Sequence, residues 1–144
     1  MKIIRKVELK PGSYEEELPG ISAEFPYIAS YVELDKYAGK QSPWHWHKEA
    51  ELFYMEQGSL EYDTPHGKAV FTAGSGGFVK SNVLHMSRAK DGEGSVVSLL
   101  HIFNPLLISG QSGSIIDRKY VSPLMTASHV EIIGLYPDQP SHVP

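Results

Sequence analysis

From Tyr27 to Phe103 the chain is cut into short β-prone segments by glycine, proline and asparagine, and no long stretch repeats apolar residues at helical spacing. Thirteen glycines and ten prolines supply the punctuation. Segments this short, rich in Val, Ile, Tyr, Phe and Thr, bury their apolar side chains only by pairing into sheets. The pattern predicts strands at Tyr27–Leu34, Glu51–Glu56, Ser59–Asp63, Lys68–Thr72, Gly77–Val79, Leu84–Arg88 and Val96–Phe103. Asp63-Thr64-Pro65-His66-Gly67 concentrates turn formers and predicts a hairpin, and Asp91-Gly92-Glu93-Gly94 reads the same way. Evenly spaced short strands imply an antiparallel all-β sandwich or barrel.

The flanks differ from this centre. Met1–Phe25 has a capping-box pattern at Ser13 and Glu16 but no apolar stripe behind it, so a loosely packed arm is expected. Asn104-Pro105 ends the last barrel strand, a Ser/Gly-rich stretch covers Ser109–Ser114, Arg118–Met125 predicts one short helix, and Val130–Leu135 is β-like. The 144 residues are expected to form a single domain: an arm over about 1–25, a barrel core over 26–103, a C-terminal extension over 104–136 and a linker-like tail over 137–144.

A net charge of −4 with no cluster of Lys and Arg argues against nucleic-acid binding by this stretch itself. The apolar runs Val96–Phe103 and Leu106–Ile108 are far shorter than the ~18 residues of a membrane span, and Met1–Lys10 mixes charge among its apolar residues, unlike a signal peptide. A cytoplasmic location is the expectation. Cysteine is absent, so any metal must be held by nitrogen and oxygen. Gly74–Gly77 lacks the Lys and helix of a phosphate loop and reads as a turn.

The chemistry concentrates in Ser42-Pro43-Trp44-His45-Trp46-His47-Lys48-Glu49-Ala50-Glu51. On an extended chain His45 and His47 share a face, while Trp44 and Trp46 point the other way and serve packing. Glu51 opens the apolar run Leu52–Met55, and a carboxylate there needs a partner, which a divalent cation provides. His66, His129 and His142 fall in turn or linker contexts and are expected to be solvated.

The frame Gly39, five residues, His45, one, His47, three, Glu51, six, Gly58 resembles the first motif of the cupin superfamily at every fixed position. The resemblance implies a double-stranded β-helix, or jelly-roll, barrel and a second motif carrying a third histidine, which Gly74 through His85 supplies. That half departs from the family: Lys80 stands where Pro is usual, Asn82 where Gly is usual and Ala89 where Asn is common. Asn at a left-handed turn position preserves the fold. The implied ligand set is His45, His47, Glu51 and His85, leaving open positions on a six-coordinate Zn, Ni, Mn or Fe ion. Phe53 and Met55 share the face of Glu51, Ser87 that of His85, and His101 lies in a buried-looking strand, so these four are the expected walls of an effector pocket.

The text "FPYIASYVELDKY…PWHWHKEAELFYMEQGSLEY", then "SNVLH" and "LLHIFNPLLISGQSGSIIDRKYVSPLM", resembles the amino-terminal sensor half of AraC-type transcription regulators. This implies a small-molecule effector such as a carbohydrate, a homodimer, and DNA contact through a helix-turn-helix region beyond this sequence, which would make the chain part of a longer regulator. No catalytic residue is assigned. A stand-alone metal-dependent cupin enzyme, a dioxygenase or a sugar isomerase, is the alternative, and a purely structural or dimerising cupin is the third.

Overall fold

The computed structural model describes residues 1–90, 92 and 94–138. Asp91 and Glu93 of the expected second turn, and residues 139–144 of the expected tail with His142, lie outside the described residues. Among the described residues there are nine strands: β1 Lys2–Ile4, β2 Tyr27–Glu33, β3 Ala50–Gln57, β4 Ser59–Thr64, β5 Gly67–Thr72, β6 Gly76–Val79, β7 Met86–Ala89, β8 Val97–Phe103 and β9 Ile132–Leu135. They form a six-stranded sheet ordered β1-β2-β8-β3-β6-β9 and a three-stranded sheet ordered β5-β4-β7. The fold is the all-β jelly-roll barrel with a short helical C-terminal segment that the sequence predicts.

Alternation along β3 fixes what faces inward. Phe53 and Met55 are buried while Leu52, Tyr54 and Glu56 are exposed. Phe53 stacks on Tyr62 of β4 at 4.6 Å and meets Phe71 of β5 edge-on at 4.8 Å, so the two sheets close on an aromatic core. The chain crosses from β3 of the larger sheet to β4 of the smaller one at Gly58, whose φ of +71° and approach to Ser95 O (2.5 Å from a would-be Cβ) leave room for no side chain. Asn82 adopts φ 64°, the left-handed conformation expected of it.

The segment of His45 and His47 is extended, as expected, and pairs through isolated bridges, His45 to His85 and Trp46 to Glu15, with Gln41 to Arg88 just before it. Three expectations need correction. The arm is not loosely packed. Lys2–Ile4 runs parallel to β2, Leu9 bridges Glu16 and Glu15 bridges Trp46, because Ile4 and Val7 have apolar partners in the core. Ser13 makes no helix cap; its Oγ accepts from Glu15 N at 2.9 Å in a local turn. Beyond β8, the expected single helix is a π-helical turn, Asp117–Val121, running into α2, Ser122–Thr126, and a further short helix, α1, covers Leu106–Ser109. β9 extends the larger sheet by pairing antiparallel with β6. Lys80 is buried; it donates through Nζ to Ala127 O and ties this extension to the barrel. No helix among the described residues is long and apolar enough to cross a membrane.

Candidate metal centre

The bridge between His45 and His85 is reciprocal: each backbone N–H donates to the other's carbonyl at 2.9 Å. It sets the His85 ring 4.3 Å from that of His45 and 5.3 Å from that of His47. The three residues are 5%, 2% and 1% exposed for His45, His47 and His85, and their candidate ligand atoms all lie within 4.8 Å of one another.

Their orientation comes from the backbone. Nδ1 of His45 lies 2.8 Å from Pro43 O, Nδ1 of His47 2.9 Å from Glu49 O, and Nδ1 of His85 2.7 Å from Val83 O. A carbonyl only accepts, so each Nδ1 carries a proton and donates it, and each Nε2 is the atom turned toward the cluster. His85 Nε2 is fully buried with no hydrogen-bond partner. Such an orphaned buried nitrogen is costly unless something binds it. Nitrogens sharing one metal at about 2.1 Å lie about 3–3.5 Å apart, so a small tightening of these rings would meet that requirement. The donor set fits a divalent transition metal.

Glu51 adjoins this set from the start of β3. Its Oε2 is 3.2 Å from His47 Nε2 and 3.6 Å from His85 Nε2, and its Oε1 accepts from Tyr62 OH at 2.5 Å. Burial pushes the Glu51 carboxyl upward, but the His47 hydrogen bond and the neighbouring imidazoles prevail and hold it well below the ordinary value. Burial likewise opposes protonation of His47, yet its bond to Glu51 and that carboxylate's charge raise it to about 9. His47 is therefore an imidazolium donating from both nitrogens. Burial and the adjacent His85 lower His45 to about 3, so its Nε2 is a bare lone pair. Tyr62 is pushed up by burial and by Glu51, and stays a donor.

A cavity of about 190 Å³ opens above this floor. It exceeds the ~150 Å³ that holds a benzene-sized molecule, so one ring or a short chain fits. His45, His85, Glu51 and Tyr62 line its base; Ser30, Ser42, Ser87 and Ser98 contribute hydroxyls; Ile28, Val32, Leu60, Leu100 and Ile102 form apolar walls.

Of the four expected wall residues, Ser87 lines the cavity, its N–H donating to Ser42 Oγ at 2.9 Å. Phe53 and Met55 do not. They are on the inward face as expected but are 2% and 0% exposed within the hydrophobic core, and neither lines the cavity. His101 is on the opposite face of β8 from Leu100 and Ile102, and its Nδ1 meets Tyr27 OH at 2.6 Å.

Sequence reasoning missed Glu16 and Tyr62. The inward parity of Tyr62 beside Leu60 was a usable signal. For Glu16 there was none nearby: the arm delivers its Oε2 to 3.8 Å from His45 Nε2, and Glu16 also lines the cavity. Burial raises the Glu16 carboxyl to about 7, against the lowering effect of His47 and with Glu51 and Glu49 adding to the rise.

No family model matches the sequence and no curated protein does. Among solved structures 66 chains match. One is an RmlC-like cupin from Shewanella frigidimarina, 18% identical with TM-score 0.46 over 54% of this chain and 66% of that one. Another is the cupin domain of Cnp3 from Schizosaccharomyces pombe, 17% identical with TM-score 0.49 over 60% of this chain and 63% of that one. A third is KdgF from a Halomonas species, 20% identical with TM-score 0.45 over 55% of this chain and 70% of that one. The match thus spans about two thirds of each neighbour's length.

Proposed function

We propose that this chain is a cupin sensor domain of the AraC type, holding a divalent metal through His45, His47, His85 and Glu51 and receiving a small uncharged effector, such as a carbohydrate, in the cavity above. The observation that carries the metal reading is the set of three Nδ1–carbonyl bonds, which turn three Nε2 atoms toward one buried place. A bound metal would supply a Lewis-acidic point for an effector oxygen. The protein's own groups do the rest. Tyr62 orients the Glu51 carboxylate, the serine hydroxyls offer hydrogen bonds, and the aliphatic walls exclude water. The sequence resemblance supports the regulator assignment, with homodimerisation and DNA contact through a separate helix-turn-helix region.

One observation favours a second reading, a metal-dependent enzyme such as a dioxygenase or sugar isomerase. Glu16 places a carboxyl of pKa about 7 beside the cluster, where a general acid or base would act. The two are separated by experiment. Adding Ni(II) or Mn(II) to chelator-treated protein raises the melting temperature by roughly 5–10 °C at ~100-fold over Kd, and His85→Ala abolishes the rise. Sugars then stabilise the metal-loaded sensor further without being turned over. Oxygen uptake with Fe(II), or conversion of a sugar, assigns the enzyme instead, and no response to any metal sinks the metal reading.

A further inference from the structure

Glu16 is carried on the N-terminal arm, yet its position is set by the segment that bears the histidines. Glu16 N donates to Trp46 O at 2.8 Å and Trp46 N donates to Tyr14 O at 3.0 Å, so the arm is laced to the residue between His45 and His47. This holds the carboxylate at a fixed height over the cluster, its side chain 13% exposed and its Oε2 3.8 Å from His45 Nε2. Among the described residues no lysine or arginine lies within ion-pair reach of it. Buried this way, its charged form is favoured by a cation placed beside it.

We infer that Glu16 is a further metal ligand, and that through it the bound metal pins the Tyr14–Leu18 stretch of the arm against the barrel. The inference rests on the metal-binding reading above. Three neutral imidazoles and Glu51 leave a divalent ion with one uncompensated positive charge in a dry floor; a second carboxylate cancels it. His85 Nε2 is buried and without a hydrogen-bond partner, and His85 lines the same cavity as Glu16. Ile4, Val7 and Leu18 of the arm also line the cavity, so the element that completes the ligand set is also one of its walls.

The test uses the full chain, with Ni(II) or Mn(II) alone as the probe. Calorimetric titration of Glu16→Gln is expected to show metal binding weakened roughly 10–100-fold, while Glu17→Gln, its exposed neighbour, binds as wild type. In parallel, Glu-C cleavage after Glu17 is followed by mass spectrometry. Metal slows it roughly tenfold or more in wild type and leaves Glu16→Gln at the metal-free rate. Wild-type affinity in Glu16→Gln, or cleavage in wild type that ignores the metal, overturns the role of Glu16 while leaving the metal site standing. Failure of wild type to bind any metal overturns both, and a melting temperature near wild type for metal-free Glu16→Gln shows that the variant is folded.

Discussion

Replacing Tyr62 by Phe removes one oxygen and nothing else. The ring keeps its stack on Phe53 at 4.6 Å and its edge contact with Phe71 at 6.0 Å, so no cavity opens and the core term is unchanged. What is lost is the 2.5 Å bond to Glu51 Oε1. A hydrogen bond to a buried charge contributes roughly 1.5–3 kcal/mol, which for a chain of this size is roughly 3–12 °C in melting temperature. The loss depends on pH with a definite sign. Glu51 is held well below its ordinary value, so its stabilisation is present above the unfolded carboxyl pKa and is lost as pH falls through the folded one. The difference between wild type and Tyr62→Phe is therefore full at neutral pH and shrinks in acid. With metal present the same substitution frees the carboxylate to rotate, weakening metal affinity roughly 10–100-fold. Scanning calorimetry of both proteins, in chelator and with excess Ni(II), reads both effects. Equal melting temperatures in chelator at pH 7 would refute the claim that Tyr62 holds Glu51. A stability loss with unchanged metal affinity would show that Glu51 is a packing partner of the histidines and not a ligand.

Two further outcomes follow from the same geometry. His47, at about 9 in the fold against an ordinary 6.5, stabilises metal-free protein fully below pH ~6.5, and that stability drains away as pH rises toward 9. Metal must displace its Nε2 proton, so metal affinity should instead rise roughly tenfold per pH unit across that window; competition titrations showing a flat profile contradict the imidazolium assignment. At the two motif glycines, Gly39→Ala should cost only the left-handed strain, about 1 kcal/mol, since a Cβ there meets nothing nearer than 3.8 Å. Gly58→Ala adds a clash with Ser95 O at 2.5 Å and should cost several times more in urea melts, and equal costs would refute this placement of the turn.

The sheet architecture was legible because parity and punctuation are local. The alternation of β3 reads off its five side chains Glu51 to Met55, and the turn at Gly58 announces itself. Parity gives a face but not a depth. Phe53 and Met55 face inward as their spacing requires, yet whether they meet a cavity or an aromatic core depends on Tyr62 and Phe71, which arrive from other strands. In β8 the run Val96-Val97-Ser98-Leu99-Leu100-His101-Ile102-Phe103 is apolar on both sides and offers no phase, so the orientation of His101 was open. β1 pairs parallel to β2 through a long intervening segment, and Glu16 reaches His45 only because of that path. Neither has a local signature.

Each histidine of the cluster takes its orienting carbonyl from a residue two positions away on its own chain segment, Pro43, Glu49 or Val83. The tautomers are thus written into three short stretches and owe nothing to the cavity walls. Ser30, Ser98, Leu100 and Ile102 can be exchanged through evolution, or by design, without retuning the imidazoles. A new ligand can be accommodated by altering the walls alone, and a redesign that keeps residues 43–49 and 83–85 intact keeps the orientation of the three imidazoles.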